Sequence, residues 1–158
     1  MIFVTLGSQK FQFNRLLKEI DRLVFEKKVT EEIFAQIGYS DYIPRNYKYK
    51  KFLDRDEFKN IMSNADKVIT HGGTGAIIGA IKQEKKVIAV PRLQKYGEHV
   101  DDHQIEIVNQ FEKMNLISRA DDISAIDEVL RDISEKKYVQ YISNTENIID
   151  SIDDFINS

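Results

Sequence analysis

One strand-to-helix junction restricts the fold of this chain more than any other stretch. Residues Val68–Thr70 are all β-branched, as in a short buried strand. Glycines follow at positions 72, 73 and 75, and the residues after them, Ala76–Ile81, continue as a helix. A strand that enters a helix through a tight turn is typical of parallel βαβ units. The junction therefore predicts an α/β fold.

The glycine turn of this junction is also a candidate anion site. The first N–H groups of a helix have no partner within the helix, and the helix dipole favours negative charge there. Gly72, Gly73 and Gly75 would let a phosphate approach the main chain closely. His71 and Thr74 add an imidazole and a hydroxyl beside it. A turn whose glycines only make a tight corner remains the alternative.

The spacing of these glycines limits the kind of nucleotide site that they can form. It matches neither the P-loop nor the GxGxxG motif of dinucleotide-binding domains. No lysine follows the glycines, which argues against a triphosphate site of the Walker type.

Composition bounds the class of protein. With 158 residues, 42% of them hydrophobic and 31% charged, we expect one soluble globular domain over residues 1–158. The net charge of −3 gives no reason to expect a nucleic-acid partner. The absence of cysteine excludes disulfides, thiolate metal sites and a cysteine nucleophile. No apolar run approaches the roughly 20 residues that span a bilayer, and the start lacks the basic residues of a signal peptide, so we expect a cytoplasmic protein.

Short β-rich runs alternate with amphipathic stretches along the rest of the chain, which indicates a parallel sheet flanked by helices. Further strands are expected at Ile2–Leu6, Glu32–Ile37, Tyr47–Leu53, Lys86–Val90 and Leu116–Ile117. Helices are expected up to about Lys27, after an Asp54–Glu57 capping box, around Ile105–Phe111 and at Asp122–Ile133. A last amphipathic helix is expected at about 138–157, packed on its own sheet or docking a partner or a second copy.

Three polar or glycine-rich segments follow predicted strands and should meet at one edge of the sheet, because ligands in open α/β sheets bind beyond the carboxyl ends of the strands. The segments are Gly7–Ser8, His71–Gly75 and Pro91–Gln104. From them we take as candidate substrate-binding residues Gly7, Ser8, His71, Gly72, Gly73, Thr74, Gly75, Arg92, Asp102, His103 and Gln104.

The last of these segments is dense in functional groups. Asp and Gln side chains together offer the acceptors and donors that sugar hydroxyls need, and Arg92 is a candidate for neutralising a phosphate. A His–Asp metal site is an alternative, although no HxH or HExxH spacing is present, and we expect no metal. A solvated loop in which Asp101 or Asp102 caps the next helix is a further alternative.

These motifs, in this order, resemble the C-terminal domain of glycosyltransferase family 28. The resemblance is carried by Thr70–Gly75, Val90–Pro91 and Asp101–Gln104. Phe3–Ser8 with Phe13–Leu16, and the run Lys95–Gln104, are similar to the soluble subunits of two-part transferases. These are the eukaryotic dolichol-linked chitobiose enzyme and the PssE-like subunits of bacterial capsule or exopolysaccharide synthesis. The likeness covers about residues 1–118.

The resemblance implies a Rossmann-like domain equivalent to the C-terminal, donor-binding half of a GT-B enzyme. Such a chain would bind a UDP-sugar and transfer a hexose, galactose or glucose, with inversion and without a cofactor. The acceptor would be a polyprenyl-diphosphate-linked saccharide in capsular or exopolysaccharide synthesis. A membrane-anchored partner subunit would bind the acceptor and hold this chain at the inner face of the cell membrane. The resemblance is also compatible with a homo-oligomer of this chain.

The same resemblance assigns roles to residues. Gly72–Gly75 would contact the diphosphate, and Asp102, His103 and Gln104 would surround the donor sugar. Gly79 stands where MurG-like enzymes carry an acidic residue for the ribose, so the ribose must be held elsewhere.

The general base is less defined, because Gln9 stands where related subunits often carry a histidine. The catalytic candidates are Glu98 and His99, unless the partner supplies the base. A non-catalytic nucleotide-sugar sensor or regulatory module, and a metal-dependent hydrolase using His99, His103 and the aspartates, are the competing interpretations.

Overall fold

Six parallel strands form the centre of the computed structural model, which describes residues 1–140. The elements are β1 (Ile2–Thr5), α1 (Asn14–Phe25), β2 (Ile33–Gln36), β3 (Lys48–Lys50), α2 (Arg55–Asn64), β4 (Lys67–His71), α3 (Thr74–Lys82), β5 (Lys86–Val90), α4 (His103–Lys113), β6 (Ser118–Arg119) and α5 (Ile126–Ile133). Single 3₁₀ turns, Gln94–Tyr96 and Ile123–Ala125, precede α4 and α5.

The strand order is β3-β2-β1-β4-β5-β6, and every neighbouring pair is parallel. The order reverses between β1 and β4, where Thr5 pairs with Thr70. In doubly wound sheets of this kind, the crevice at the reversal point is the place where ligands bind. The predicted Rossmann-like α/β class is therefore confirmed, and the glycine turn after β4 lies at that point.

The central strands are apolar along their whole length because helices cover both faces of the sheet. On one face, Val4 and Ile69 pack with side chains of α1 and α5. On the other face, Phe3 and Val68 pack with side chains of α2, α3 and α4. Two hydrophobic layers thus hold the sheet rigidly and fix the positions of the strand ends.

Most predicted elements are confirmed, and the predicted capping box at the start of α2 is present. The Asp54 carboxylate accepts from the Glu57 amide at 2.8 Å, and the Glu57 carboxylate accepts from the Asp54 amide at 3.4 Å. The strand predicted at Tyr47–Leu53 is shorter, since only Lys48–Lys50 pair with β2.

The prediction of a strand at Leu116–Ile117 is wrong, because the strand begins two residues later, at Ser118. Leu116 donates its amide to the carbonyl of Phe111 and so still belongs to the exit of α4. Both apolar side chains fill the core, and pairing with β5 begins only at Ser118. The apolar character of Leu116 and Ile117 thus indicates that they are buried, but it does not indicate strand pairing.

No helix within residues 1–140 is long and apolar enough to cross a membrane. The helix predicted at about 138–157 falls mainly outside the described residues, and residues 138–140 are not helical.

The buried carboxylate of Asp21 organises the loop that leads into β3. It accepts hydrogen bonds from the Tyr42 hydroxyl, the Arg45 amide, and the amide and side chain of Asn46. Burial raises the pKa of Asp21, but these donors outweigh it and hold the pKa below its usual value of 3.8. The ionised form is therefore the one that stabilises the fold.

We expect Asp21→Asn to lower the free energy of unfolding by about 2 kcal/mol at pH 7, because buried donors lose their acceptor. The folded-state pKa is depressed, so this stabilisation is complete above the unfolded value and is lost as the pH falls through the folded value. Urea unfolding at pH 7 and at low pH should show the difference from wild type shrinking in acid. Asp41→Asn, at an exposed position, is the matched control. A constant difference at all pH values would contradict the assignment.

Candidate functional site

A crevice of about 470 Å³ opens at the carboxyl edge of the sheet, at the reversal between β1 and β4. We call it the switch-point crevice. Its lining residues are Thr5, Gly7, Ser8, Gln9, Gln36, Phe52, Leu53, Phe58, His71, Gly73, Thr74, Gly75 and Ala76. The structure thus brings the Gly7–Ser8 and His71–Gly75 segments together. None of these lining side chains carries a formal charge near neutral pH.

The amino end of α3 offers free main-chain donors to this crevice. The helix begins at Thr74, and its first backbone bond runs from the Ile77 amide to the Gly73 carbonyl. No side chain caps the helix, and within residues 1–140 the amides of Thr74 and Gly75 have no hydrogen-bond partner. Open amides at the positive end of a helix dipole are suited to an anion.

Packing explains two of the three glycines of the turn but not the third. A Cβ on Gly73 would lie 2.2 Å from Cε1 of His71, and one on Gly72 would lie 2.9 Å from side-chain atoms of Gln104 and Val108. Packing alone therefore requires these two glycines, as the tight-corner interpretation holds. A Cβ on Gly75 would meet nothing within 4 Å, so packing does not explain this glycine.

The imidazole of His71 lies between two glycine turns. Gly7 has a φ of +72°, and a Cβ there would lie 2.7 Å from Nε2 of His71. Burial and the nearby charge of Arg92 lower the pKa of His71 to about 3, with a smaller effect of His99. His71 is therefore neutral at physiological pH.

Gln104, predicted to hold the donor sugar, faces the protein interior. Its Oε1 accepts from the amides of Gly72 at 2.9 Å and Arg92 at 3.0 Å. Its Nε2 lies 3.2 Å from Nδ1 of His71, and the side chain is buried. The side chain joins the ends of β4 and β5 to α4 and does not line the crevice, which argues against a direct sugar contact.

Arg92, predicted to neutralise a phosphate, is also turned inward and is 1% exposed. Its guanidinium donates to the carbonyls of Leu6, Phe11, Gln12 and Glu98. Burial lowers its pKa to about 10, against the effect of Glu98, so it stays charged at pH 7. Arg92 ties down the loop that follows β1, and no part of it reaches the crevice wall.

Glu98, one of the two catalytic candidates, is completely buried and paired. Its carboxylate accepts from Nε and Nη2 of Arg15, both at 2.9 Å, and from the Leu93 amide at 3.0 Å. A carboxylate committed to a guanidinium in this way is a poor general base. The structure does not support a catalytic role for Glu98, and its contacts explain the residue as an anchor of the loop before α4.

His99 remains the other catalytic candidate. Its Nδ1 lies 3.2 Å from the Asp101 carboxylate, and its ring stacks on Phe11 with centroids 5.5 Å apart. The contact lacks hydrogen-bond geometry, because Nδ1 of His99 has no hydrogen-bond partner among the described residues, so Asp101 does not orient the ring as a carboxylate orients the histidine of a general-base pair. His99 is not among the residues that line the crevice, so it would act only on a group that approaches from the rim.

Asp102 and His103 lie at the start of α4, outside the crevice lining. Asp102 accepts from the Gln94 amide, and Asp101 accepts from the His103 amide, so both aspartates support the turn before the helix. Nδ1 of His103 is 3.2 Å from Glu106. Among the described residues, no three His, Asp or Glu side chains are grouped to hold a metal ion.

Sequence reasoning missed Gln36, at the end of β2. Its Oε1 accepts from the Thr5 hydroxyl and the Leu6 amide, and its Nε2 donates to the carbonyls of Gly7 and Lys51, all between 3.1 and 3.2 Å. It thus fixes the loops after β1 and β3 on either side of the crevice. The available signal was a single polar residue inside an apolar strand.

The fold and the crevice together define a doubly wound, Rossmann-like α/β domain with open helix amides at the switch point. The family model of the glycosyltransferase family 28 C-terminal domain matches residues 1–158. The chain belongs to this family.

Relatives of the chain are subunits of sugar transferases. It is 35% identical over 97 residues to the UDP-N-acetylglucosamine transferase subunit ALG13 of Kluyveromyces lactis, covering 60% of this chain and 46% of that protein. The Candida albicans subunit of the same name is 31% identical over 90 residues, covering 57% of this chain and 25% of that protein. The matches thus span less than half the length of these relatives.

Solved structures agree on the fold. An NMR structure of ALG13 superimposes with a TM-score of 0.67 at 18% identity, covering 99% of this chain and 96% of that chain. Acinetobacter baumannii MurG gives 0.56 at 19% identity, covering 84% of this chain and 40% of that chain. The glycotransferase of kitacinnamycin gives 0.60 at 18% identity, covering 96% and 37%. The predicted likeness to one half of a GT-B enzyme is thereby confirmed.

Two glycine substitutions should have opposite effects on stability. Gly7→Ala should lower the free energy of unfolding by about 1–3 kcal/mol, since it places a side chain at positive φ against His71. Gly79→Ala, inside α3 with open space around its Cβ, should raise it by about 0.5–1 kcal/mol. Thermal unfolding measures both. A neutral Gly7→Ala would contradict the close packing of His71 on this turn.

Proposed function

We propose that this chain is the donor-binding subunit of a glycosyltransferase and that the switch-point crevice binds the diphosphate of a UDP-sugar. The observation that carries the proposal is the pair of amides at Thr74 and Gly75, which have no hydrogen-bond partner within residues 1–140 and lie beside the neutral imidazole of His71. Donors of this kind also stabilise the negative charge that develops on a leaving diphosphate. Membership of the family supports the same role.

The far wall of the crevice suits a nucleobase. Phe52 and Leu53 line it at the end opposite α3, and Phe52 stacks edge-on against Tyr39 with centroids 5.1 Å apart. Gln36 has both ends of its amide engaged, so it holds this wall without offering a free polar group. The volume of about 470 Å³ is in the range of small-molecule sites.

Three UDP-sugars are candidate donors. The printed name of the relatives supports UDP-N-acetylglucosamine, and the resemblance to capsule and exopolysaccharide subunits supports UDP-galactose or UDP-glucose. With Gln104 and Arg92 turned inward, the residues left for the sugar are Ser8, Gln9 and those on the rim near His99.

We propose that the acceptor is bound by a second, membrane-anchored subunit. The chain covers only 37–40% of the larger glycosyltransferase chains that share its fold. That subunit would hold a lipid-linked saccharide at the inner face of the membrane and would keep this chain there. His99 or a residue of the partner would then be the general base.

The charge of the diphosphate provides a direct test at Gly75. Gly75→Asp should weaken UDP binding roughly tenfold or more, because a carboxylate in the first turn of α3 repels a phosphate within about 4 Å. Gly75→Asn has the same shape without the charge and is the matched control. Isothermal titration calorimetry measures both. An affinity of Gly75→Asp equal to wild type would exclude a diphosphate at this turn.

Dependence on a partner gives a second test. The purified chain should bind UDP but transfer sugar poorly, and the complex recovered from its native membrane fraction should transfer sugar to a lipid-linked acceptor. The three donors are compared on that complex with radiolabelled sugar. Full transfer by the isolated chain would contradict a divided enzyme. Binding without turnover in every pairing would instead identify a regulatory module.

A further inference from the structure

The amide of Gln104 can have only one orientation. Its Oε1 receives two main-chain N–H donors, from Gly72 at 2.9 Å and from Arg92 at 3.0 Å. A reversed amide would place its NH₂ group against both main-chain N–H groups, and these buried donors would then have no acceptor. The atom 3.2 Å from Nδ1 of His71 is therefore the NH₂ nitrogen, which can only donate.

A donor at this position decides where the proton of His71 sits. Nδ1 must accept, so it carries no proton, and a neutral imidazole then carries its proton on Nε2. Nε2 is at the edge of the ring that lies against Gly7, and both residues line the switch-point crevice. Within residues 1–140, nothing accepts a hydrogen bond from it.

We propose that Gln104 is a positioning residue that fixes His71 as the Nε2–H tautomer, so that the crevice always presents a neutral hydrogen-bond donor to the diphosphate. The identity of the diphosphate rests on the proposed function, whereas the tautomer does not. Gln104 thereby acts on the ligand through His71 and contacts no substrate itself.

The surroundings of His71 agree with a donor that does not titrate. The groups that act on its charge are Arg92 at the end of β5, His99 in the loop before α4, and Gln104 on α4. Burial, Arg92 and His99 disfavour the imidazolium of His71, and the NH₂ group of Gln104, which can only donate, opposes a proton on Nδ1. The neutral Nε2–H form is therefore expected throughout pH 5–8.

The wild-type chain tests the tautomer without a variant. Long-range ¹H–¹⁵N correlation spectra of the ¹⁵N-labelled protein separate a protonated from an unprotonated ring nitrogen, and His99→Gln and His103→Gln assign the three histidines. We expect His71 to show a protonated Nε2 and a bare Nδ1, unchanged between pH 5 and 8. A proton on Nδ1, an exchanging mixture, or an ordinary titration would overturn the proposal.

Gln104→Glu tests the consequence for binding. One carboxylate oxygen can still accept from the two main-chain amides, while the other turns an acceptor toward Nδ1 and raises the pKa of His71. Below that pKa the imidazolium still donates from Nε2. Above it the Nε2 proton is released to solvent, the proton that remains is on Nδ1 facing the carboxylate, and the donor toward the crevice is lost. The affinity for UDP, divided by that of wild type, should then fall roughly tenfold or more as the pH rises through the new pKa.

Gln110→Glu is the matched control, because it makes the same charge change more than one turn further along α4. Its affinity ratio should stay flat with pH. A flat ratio for Gln104→Glu as well would overturn the proposed link between Gln104 and the ligand. If wild type shows the expected tautomer but does not bind UDP, the proposed function fails while the positioning of His71 by Gln104 stands.

Discussion

Buried side-chain amides complete the hydrogen bonding of the strand ends, and the crevice depends on them. A parallel sheet leaves main-chain groups unpaired where its strands stop, and leaving them unsatisfied away from water is costly. Gln36 serves the ends of β1 and β3, and Gln104 serves those of β4 and β5. Because each amide joins two loops, the two walls of the crevice keep a fixed separation.

Several charged side chains that the sequence suggests as ligand-binding or catalytic groups instead stabilise the loops around the crevice. Arg92 gathers carbonyls of the loop after β1, and Glu98 pairs with Arg15 on α1. Their charges are satisfied inside the protein and are not available to a ligand. The polar groups that line the crevice are uncharged: main-chain amides at the start of α3, the hydroxyls of Thr5, Ser8 and Thr74, the side-chain amides of Gln9 and Gln36, and the imidazole of His71.

The fold was predictable because its signals are local. Buried parallel strands such as β4 and β5 read as short continuous apolar or β-branched runs, and the Asp54–Glu57 box marks the start of α2. The site was predictable only in part. The glycine turn follows from chain geometry, but the directions of Arg92, Glu98 and Gln104 depend on contacts with residues far along the chain. Density of polar residues in one segment carries no information about which way they point.

The described residues that line the crevice carry no formal charge, and this has a consequence for turnover under the proposed function. A phosphate held by amides and neutral donors is held less tightly than one paired with arginine or lysine. A spent nucleotide would then leave without breaking an ion pair, and its departure would depend little on ionic strength. If the chain is the donor-binding subunit proposed above, product release would thus be easy on its side of the enzyme.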